Sequence, residues 1–114
     1  MTTTLLALYR RPDGGDDAYV EFERAYGERH LPLVARTPGL RALRVARVKR
    51  TLSGSNDVAL VARMAFDDWE SLKAGLASVE MTEAGRSLDA IGGSELATML
   101  VVEEATDLIP EGAP

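Results

Sequence analysis

"LRALRVARVKRTLSGSNDVALVARMAF", Leu40 to Phe66, decides how the chain folds. Its first part alternates: Leu43 and Val45 share a face with Arg47 and Lys49, while Arg44, Ala46 and Val48 share the other. Its last part, Asp57 to Phe66, puts Val58, Leu60, Ala62, Met64 and Phe66 on one face. Ala59, Val61, Arg63 and Ala65 fall on the other. Period-two patterning on both sides of the polar, glycine-bearing "TLSGSND" predicts two strands joined as a hairpin. Both faces of the second strand are largely apolar, so it is expected to be buried on both sides.

Working outward, each end of this hairpin meets a helical pattern and then one more strand. Upstream, Phe22, Ala25 and Tyr26 follow Ala18 at helical spacing, with Glu21, Glu23, Arg24 and Glu28 opposite them. Asp16 or Asp17 is the expected N-cap. Pro32 disfavours α geometry at Leu31, so a break or kink is expected there, with "PLVART" as a short helical resumption. Before this helix, Thr3 to Arg10 reads as a strand closed by the turn signal "RRPDGGDD". Downstream, "DDWESLKAGLAS" reads as a helix capped by Asp67 or Asp68, with Trp69, Leu72, Leu76 and Val79 as its stripe. "EMTEAGRSLDAIGG" continues helically, and Ser94 to Glu104 reads as the last strand.

The order β-α-β-β-α-β predicts an α+β, ferredoxin-like fold with a four-stranded antiparallel sheet. Residues 1–105 are expected to form a single domain, and 106–114 a C-terminal tail. Two helices on one face leave the other face of the sheet bare. That face is too apolar for a monomer, so a homodimer through the sheet face is expected. A hollow between the helices and the sheet is the expected place for a hydrophobic small-molecule ligand.

Composition narrows the partners. The 114 residues carry a formal net charge of −5, which argues against nucleic acid, although basic residues cluster in "LRALRVARVKR". There is no cysteine, so no disulfide, thiolate metal site or cysteine nucleophile. The single histidine, His30, makes a histidine-rich metal site impossible within one chain. "PDGG" and "IGGS" read as turns without a nucleotide-binding pattern. The N-terminus has no basic segment before a short apolar run, so no signal peptide, no membrane span and a cytoplasmic location are expected.

The residue patterns "LYRRPDG", "YGERHLPLVARTPGLRALRV" and "FDDWESLKAGLASVEMTEAGRSL" resemble the EthD family of the dimeric α+β barrel superfamily, from about Leu5 to Glu104. The most specific piece is His30, Pro32 and Leu33 followed by Pro38, Gly39 and Leu40. The resemblance implies a homodimer with a pocket in each subunit and no cofactor. It also implies His30 as the proton-transfer residue. Members of similar sequence include isomerases of methyl-substituted muconolactones and dehydratase- or decarboxylase-like enzymes acting on aromatic polyketides. A cysteine has been proposed to matter in the muconolactone isomerases, and its absence here is a departure. Heme-degrading relatives place their histidine in another helical region, which argues against heme.

Phe22, Tyr26 and His30 are spaced by four, so they are expected to stack on one helical face looking toward the sheet. An imidazole there suits general acid/base work near neutral pH. It equally suits a histidine that bonds a free carbonyl at a helix end. The helix dipole would favour its charged form and burial its neutral form. Four residues are candidates for substrate binding. Tyr9 and Tyr26 could polarise a substrate oxygen, or simply pack at the core edge. Arg63 could bind a carboxylate or enolate, or an acid on a neighbouring strand or across a dimer. Trp69 could wall the ligand or pack beneath its helix. The expected function is cofactor-free proton transfer, of isomerase, dehydratase or decarboxylase type, on a hydrophobic oxygenated molecule. The alternative is a non-catalytic binding or accessory protein for such a metabolite.

Overall fold

In a computed structural model, residues 2–105 are described. The tail expected at 106–114 lies outside them. Strands β1 (Thr2–Arg10), β2 (Ala42–Arg47), β3 (Val58–Phe66) and β4 (Ala97–Glu104) form one sheet in the order β2-β3-β1-β4. Every neighbouring pair is antiparallel. Helices α1 (Gly15–Ala25), α2 (Leu31–Val34), α3 (Trp69–Leu76) and α4 (Val79–Ala90) supply the second layer. The α+β, ferredoxin-like expectation holds. The last strand starts three residues later than its apolar pattern suggests, because residues 94–96 turn before pairing begins.

The register explains the core. Leu5 lies opposite Met64, Ala7 opposite Ala62 and Tyr9 opposite Leu60, and all six are buried under the helices. From α1, Phe22 and Ala25 close over them, followed by Tyr26 just beyond that helix, and from α4, Ala84 and Leu88 do the same. The stripe read into the second helical region is only partly right. Leu72 is fully buried, but Trp69, Leu76 and Val79 are exposed. The helix stops at Leu76, and α4 starts afresh at Ser78, whose hydroxyl accepts from the Met81 N–H. Spacing counted across that break therefore has no structural meaning. Gly75 is buried instead. It presses α3 so near β3 that a Cβ there would lie 2.8 Å from Phe66 Cε1.

Helix ends also differ from expectation. Asp68 caps α3 as its sequence suggests, accepting from the Ser71 N–H at 2.8 Å. Asp16 and Asp17 do not cap α1. The cap position is Gly14, in a left-handed conformation at φ 109, and the two acids sit in the first turn, where they face the positive end of the helix dipole.

The other face of the sheet carries no helix. Leu6, Leu8, Val61, Leu100 and Val102 lie on it by register. β3 is thus covered on one side within this chain, and Arg63, on the open side, is exposed. Arg63 pairs with Glu104, which also accepts from the Thr4 hydroxyl at 2.6 Å. Thr4 first and Arg63 second hold the Glu104 carboxyl below its usual range. No helix among the described residues is long and apolar enough to cross a membrane.

Candidate functional site

The site starts from Pro32. Proline has no N–H to continue a helical ladder, and its ring clashes with the carbonyl four residues back. The chain does not break there, as the sequence suggested. Residues Tyr26–His30 widen into a π-turn, and the Leu31 N–H reaches back five residues to the Tyr26 carbonyl. The wider turn makes room for the ring, so Leu31 keeps α-helical angles (φ −58, ψ −39) and α2 resumes at once. The Ser87 hydroxyl of α4 donates to the Arg29 carbonyl at 3.1 Å, tying the π-turn to the neighbouring helix. π-turns inside helices occur frequently at functional sites.

Around this turn runs an aromatic ladder. Ring centroids lie 5.9 Å apart for Tyr9 and Phe22, 5.8 Å for Phe22 and Tyr26, and 5.0 Å for Tyr9 and Tyr26. Tyr26 and His30 follow at 5.1 Å. The two phenols bond each other, and burial raises the pKa of both. They are therefore neutral hydroxyls near neutral pH.

His30 is 5% exposed. The Ala84 backbone carbonyl of α4 faces the ring, and Nδ1 has no hydrogen-bond partner. Burial lowers the His30 pKa, against the smaller opposing pull of the Ala84 carbonyl. The helix continues through Val34, so the ring is not at a helix end, and its polar contact is with α4 rather than the sheet.

A hollow of about 300 Å³ lies beside the π-turn. Tyr26 and Gly27 line it from the turn, Leu31 from the start of α2, and Val45, Arg47 and Leu60 from β2 and β3. Glu23 completes the rim. Arg47 donates to Glu23 at 2.6 Å across the mouth. Arg47 first, and the Tyr19 hydroxyl after it, keep the Glu23 carboxyl below its ordinary range.

The structure brings Tyr9, Tyr26 and His30 together, with Tyr26 as the wall between the imidazole and the hollow. His30 is not among the residues lining that hollow. Arg63 lies on the opposite face of the sheet. Trp69 is exposed at the start of α3, with Lys73 Nζ 5.6 Å from its ring centroid. Glu23, Val45, Arg47 and Leu60 were not singled out from sequence. Their signal was the β2–β3 register, which sets Val45 opposite Ala62 and Arg47 opposite Leu60 on the helix side.

Fold and site define a small α+β protein of the ferredoxin-like class, with a hollow between sheet and helices. Among solved structures, an ethyl tert-butyl ether D (EthD) family protein from Bacillus halodurans is 30% identical, with a TM-score of 0.81. That match covers 92% of this chain and 100% of the other. The chain belongs to the EthD family. A dimeric ferredoxin-like protein of unknown function from Jannaschia sp. shares the fold at 20% identity and TM-score 0.65, over 91% of this chain and 100% of that one. SnoaB, a cofactor-independent oxygenase from Streptomyces nogalater, does so at 20% identity and TM-score 0.62, over 96% and 98%. No family model matches the sequence, and no curated protein matches it significantly.

Proposed function

We propose that the protein is a cofactor-free enzyme that moves a proton within a hydrophobic, oxygenated small molecule held beside the π-turn. The observation that carries this reading is the unpartnered Nδ1 of buried His30. A buried polar atom without a partner costs about 1–3 kcal/mol. Such groups in native structures call for an explanation, and a base kept ready is one. Burial favours the neutral ring, the Ala84 carbonyl faces it, and it stacks on the residue that walls the hollow. In the proposed reaction the substrate enters against Tyr26 and displaces that ring from the imidazole. Nδ1 takes a proton from a carbon beside a carbonyl, and the Tyr9 and Tyr26 hydroxyls donate to the enolate oxygen. The imidazolium then returns the proton to a different carbon, completing an isomerisation, or gives it to a β-hydroxyl that the enolate expels as water, completing a dehydration. Arg63 and Trp69 play no part in this scheme.

The protein would work as a homodimer through the open sheet face. The half-buried Leu6, Leu8, Val61 and Val102 and the exposed Leu100 support that reading.

A second reading, a metabolite holder without turnover, is favoured by one observation: His30 does not border the hollow. His30→Gln separates the two. If the first is right, the variant binds a turned-over lactone, quinone or phenol as before, but its kcat falls by about 10²-fold or more. Unchanged kcat would remove the proton-transfer reading and leave the holder.

A further inference from the structure

The basic run that closes β2 has no role in the reading above. Arg47, Lys49 and Arg50 converge there with Arg11 on a groove of about 330 Å³. The backbone continues to pair past the strand, with the Val48 N–H on the Ala59 carbonyl at 2.8 Å and the Arg11 N–H on the Asp57 carbonyl. Tyr19 forms one wall, with the Arg11 guanidinium 4.5 Å from its ring centroid. In a chain of net charge −5, four of the groove's residues are cations and one, Asp57, is an acid.

Two of the cations are already neutralised. Arg11 pairs with Asp16 at 3.3 Å, and Arg47 pairs with Glu23. Lys49 and Arg50 make no ion pair among the described residues, and together they outnumber Asp57 by one charge. The groove is thus matched to a singly charged oxyanion rather than to a dianion. It also adjoins the hollow, because Arg47 lines both. From Arg47 to Lys49 is about 7 Å along an extended chain, roughly the reach of a fused ring system.

We infer that the hollow and the groove form one site for an amphiphilic anion, whose apolar ring body lies against Tyr26, Val45 and Leu60 and whose carboxylate-type group is held by Lys49 and Arg50. Arg47 is the hinge between the two parts. An arriving oxyanion competes with Glu23 for its guanidinium, so binding loosens the ion pair that spans the mouth. This inference rests on the hollow being the ligand site and names the class of ligand it takes.

The test uses two fluorescent probes of nearly the same body. One is the anionic 8-anilinonaphthalene-1-sulfonate, and the other the uncharged N-phenyl-1-naphthylamine. Both are titrated into the wild type, Lys49→Ala/Arg50→Ala and Val45→Trp, at low and high salt. The double variant should bind the sulfonate about tenfold more weakly, with the uncharged probe unchanged and high salt reproducing the loss. Val45→Trp, which fills the hollow, should weaken both probes. Equal sulfonate binding by the wild type and the double variant overturns the inference, while loss of the uncharged probe in Val45→Trp still upholds the hollow. If Val45→Trp affects neither probe, the hollow reading falls and the inference with it.

Discussion

Gly75 and Gly85 offer the same substitution in two neighbouring helices, and the fold gives it opposite signs. Both lie in α-helical segments, and neither has a positive φ. Replacing helical glycine by alanine normally gains about 0.5–1 kcal/mol by reducing the freedom of the unfolded chain. At Gly85 a Cβ meets nothing within 4 Å, so Gly85→Ala should realise that gain. At Gly75 the Cβ would fall 2.8 Å and 3.1 Å from two atoms of the Phe66 ring, and 3.1 Å from Thr37 Cγ2. Phe66 is fully buried, so its ring has nowhere to retreat. Overpacking of this kind costs about 1–3 kcal/mol, which outweighs the gain and leaves a net loss of about 1 kcal/mol. For a domain of this size each kcal/mol is worth roughly 3–5 °C in Tm. Thermal unfolding followed by circular dichroism should therefore place Gly85→Ala a few degrees above the wild type and Gly75→Ala a few degrees below. Guanidinium titration should give the same order with an unchanged m-value. Gly75→Ala matching Gly85→Ala in Tm would mean that α3 does not sit against β3 as described, and the packing argument would fail.

Three further outcomes follow from the aromatic ladder and the sheet. Tyr9→Phe or Tyr26→Phe alone strands the other hydroxyl and should cost about 1–2 kcal/mol, whereas the double variant should cost less than the sum, a non-additivity that denaturant titration will measure. The folded-state pKa of His30 lies below its ordinary 6.5, so the unfolded chain takes up that proton first. Its contribution to stability is then full above 6.5 and is lost as pH falls through the depressed folded value. The wild type should lose stability over that window relative to His30→Gln, and parallel curves would show that burial does not suppress the imidazole's charge. Leu100→Asp, on the open sheet face, should shift sedimentation from dimer to monomer. A mutant that still sediments as a dimer would place the interface elsewhere.

The sequence was informative where one periodicity dominates. The alternation through β3 and the stripe of α1 gave the order of elements, but both faces of β3 are apolar, so the alternation did not say which one the helices cover. The π-turn was not legible, because a spacing of four falls between one α-turn and one wider turn. Phe22, Tyr26 and His30 align in either. Trp69 misled for another reason: its apolar character fits a stripe, but the contact of Gly75 with Phe66 rotates α3 so that Leu72 faces inward and the indole does not. The walls of the hollow come from three separate segments. Glu23 and Arg47 meet only once the hairpin register is fixed, and nothing local announces their pairing.

The widened turn before Pro32 carries a consequence for how this segment can change in length. Removing one residue between Tyr26 and His30 would turn the bond from the Leu31 N–H to the Tyr26 carbonyl into an ordinary four-residue one, so α2 would keep its direction and phase. Val34 would stay in the core, and Leu31 on the rim of the hollow. The change would fall inside the turn, on how His30 is set relative to Tyr26. A single-residue length difference here thus re-aims the imidazole while the walls of the cavity stay where they are.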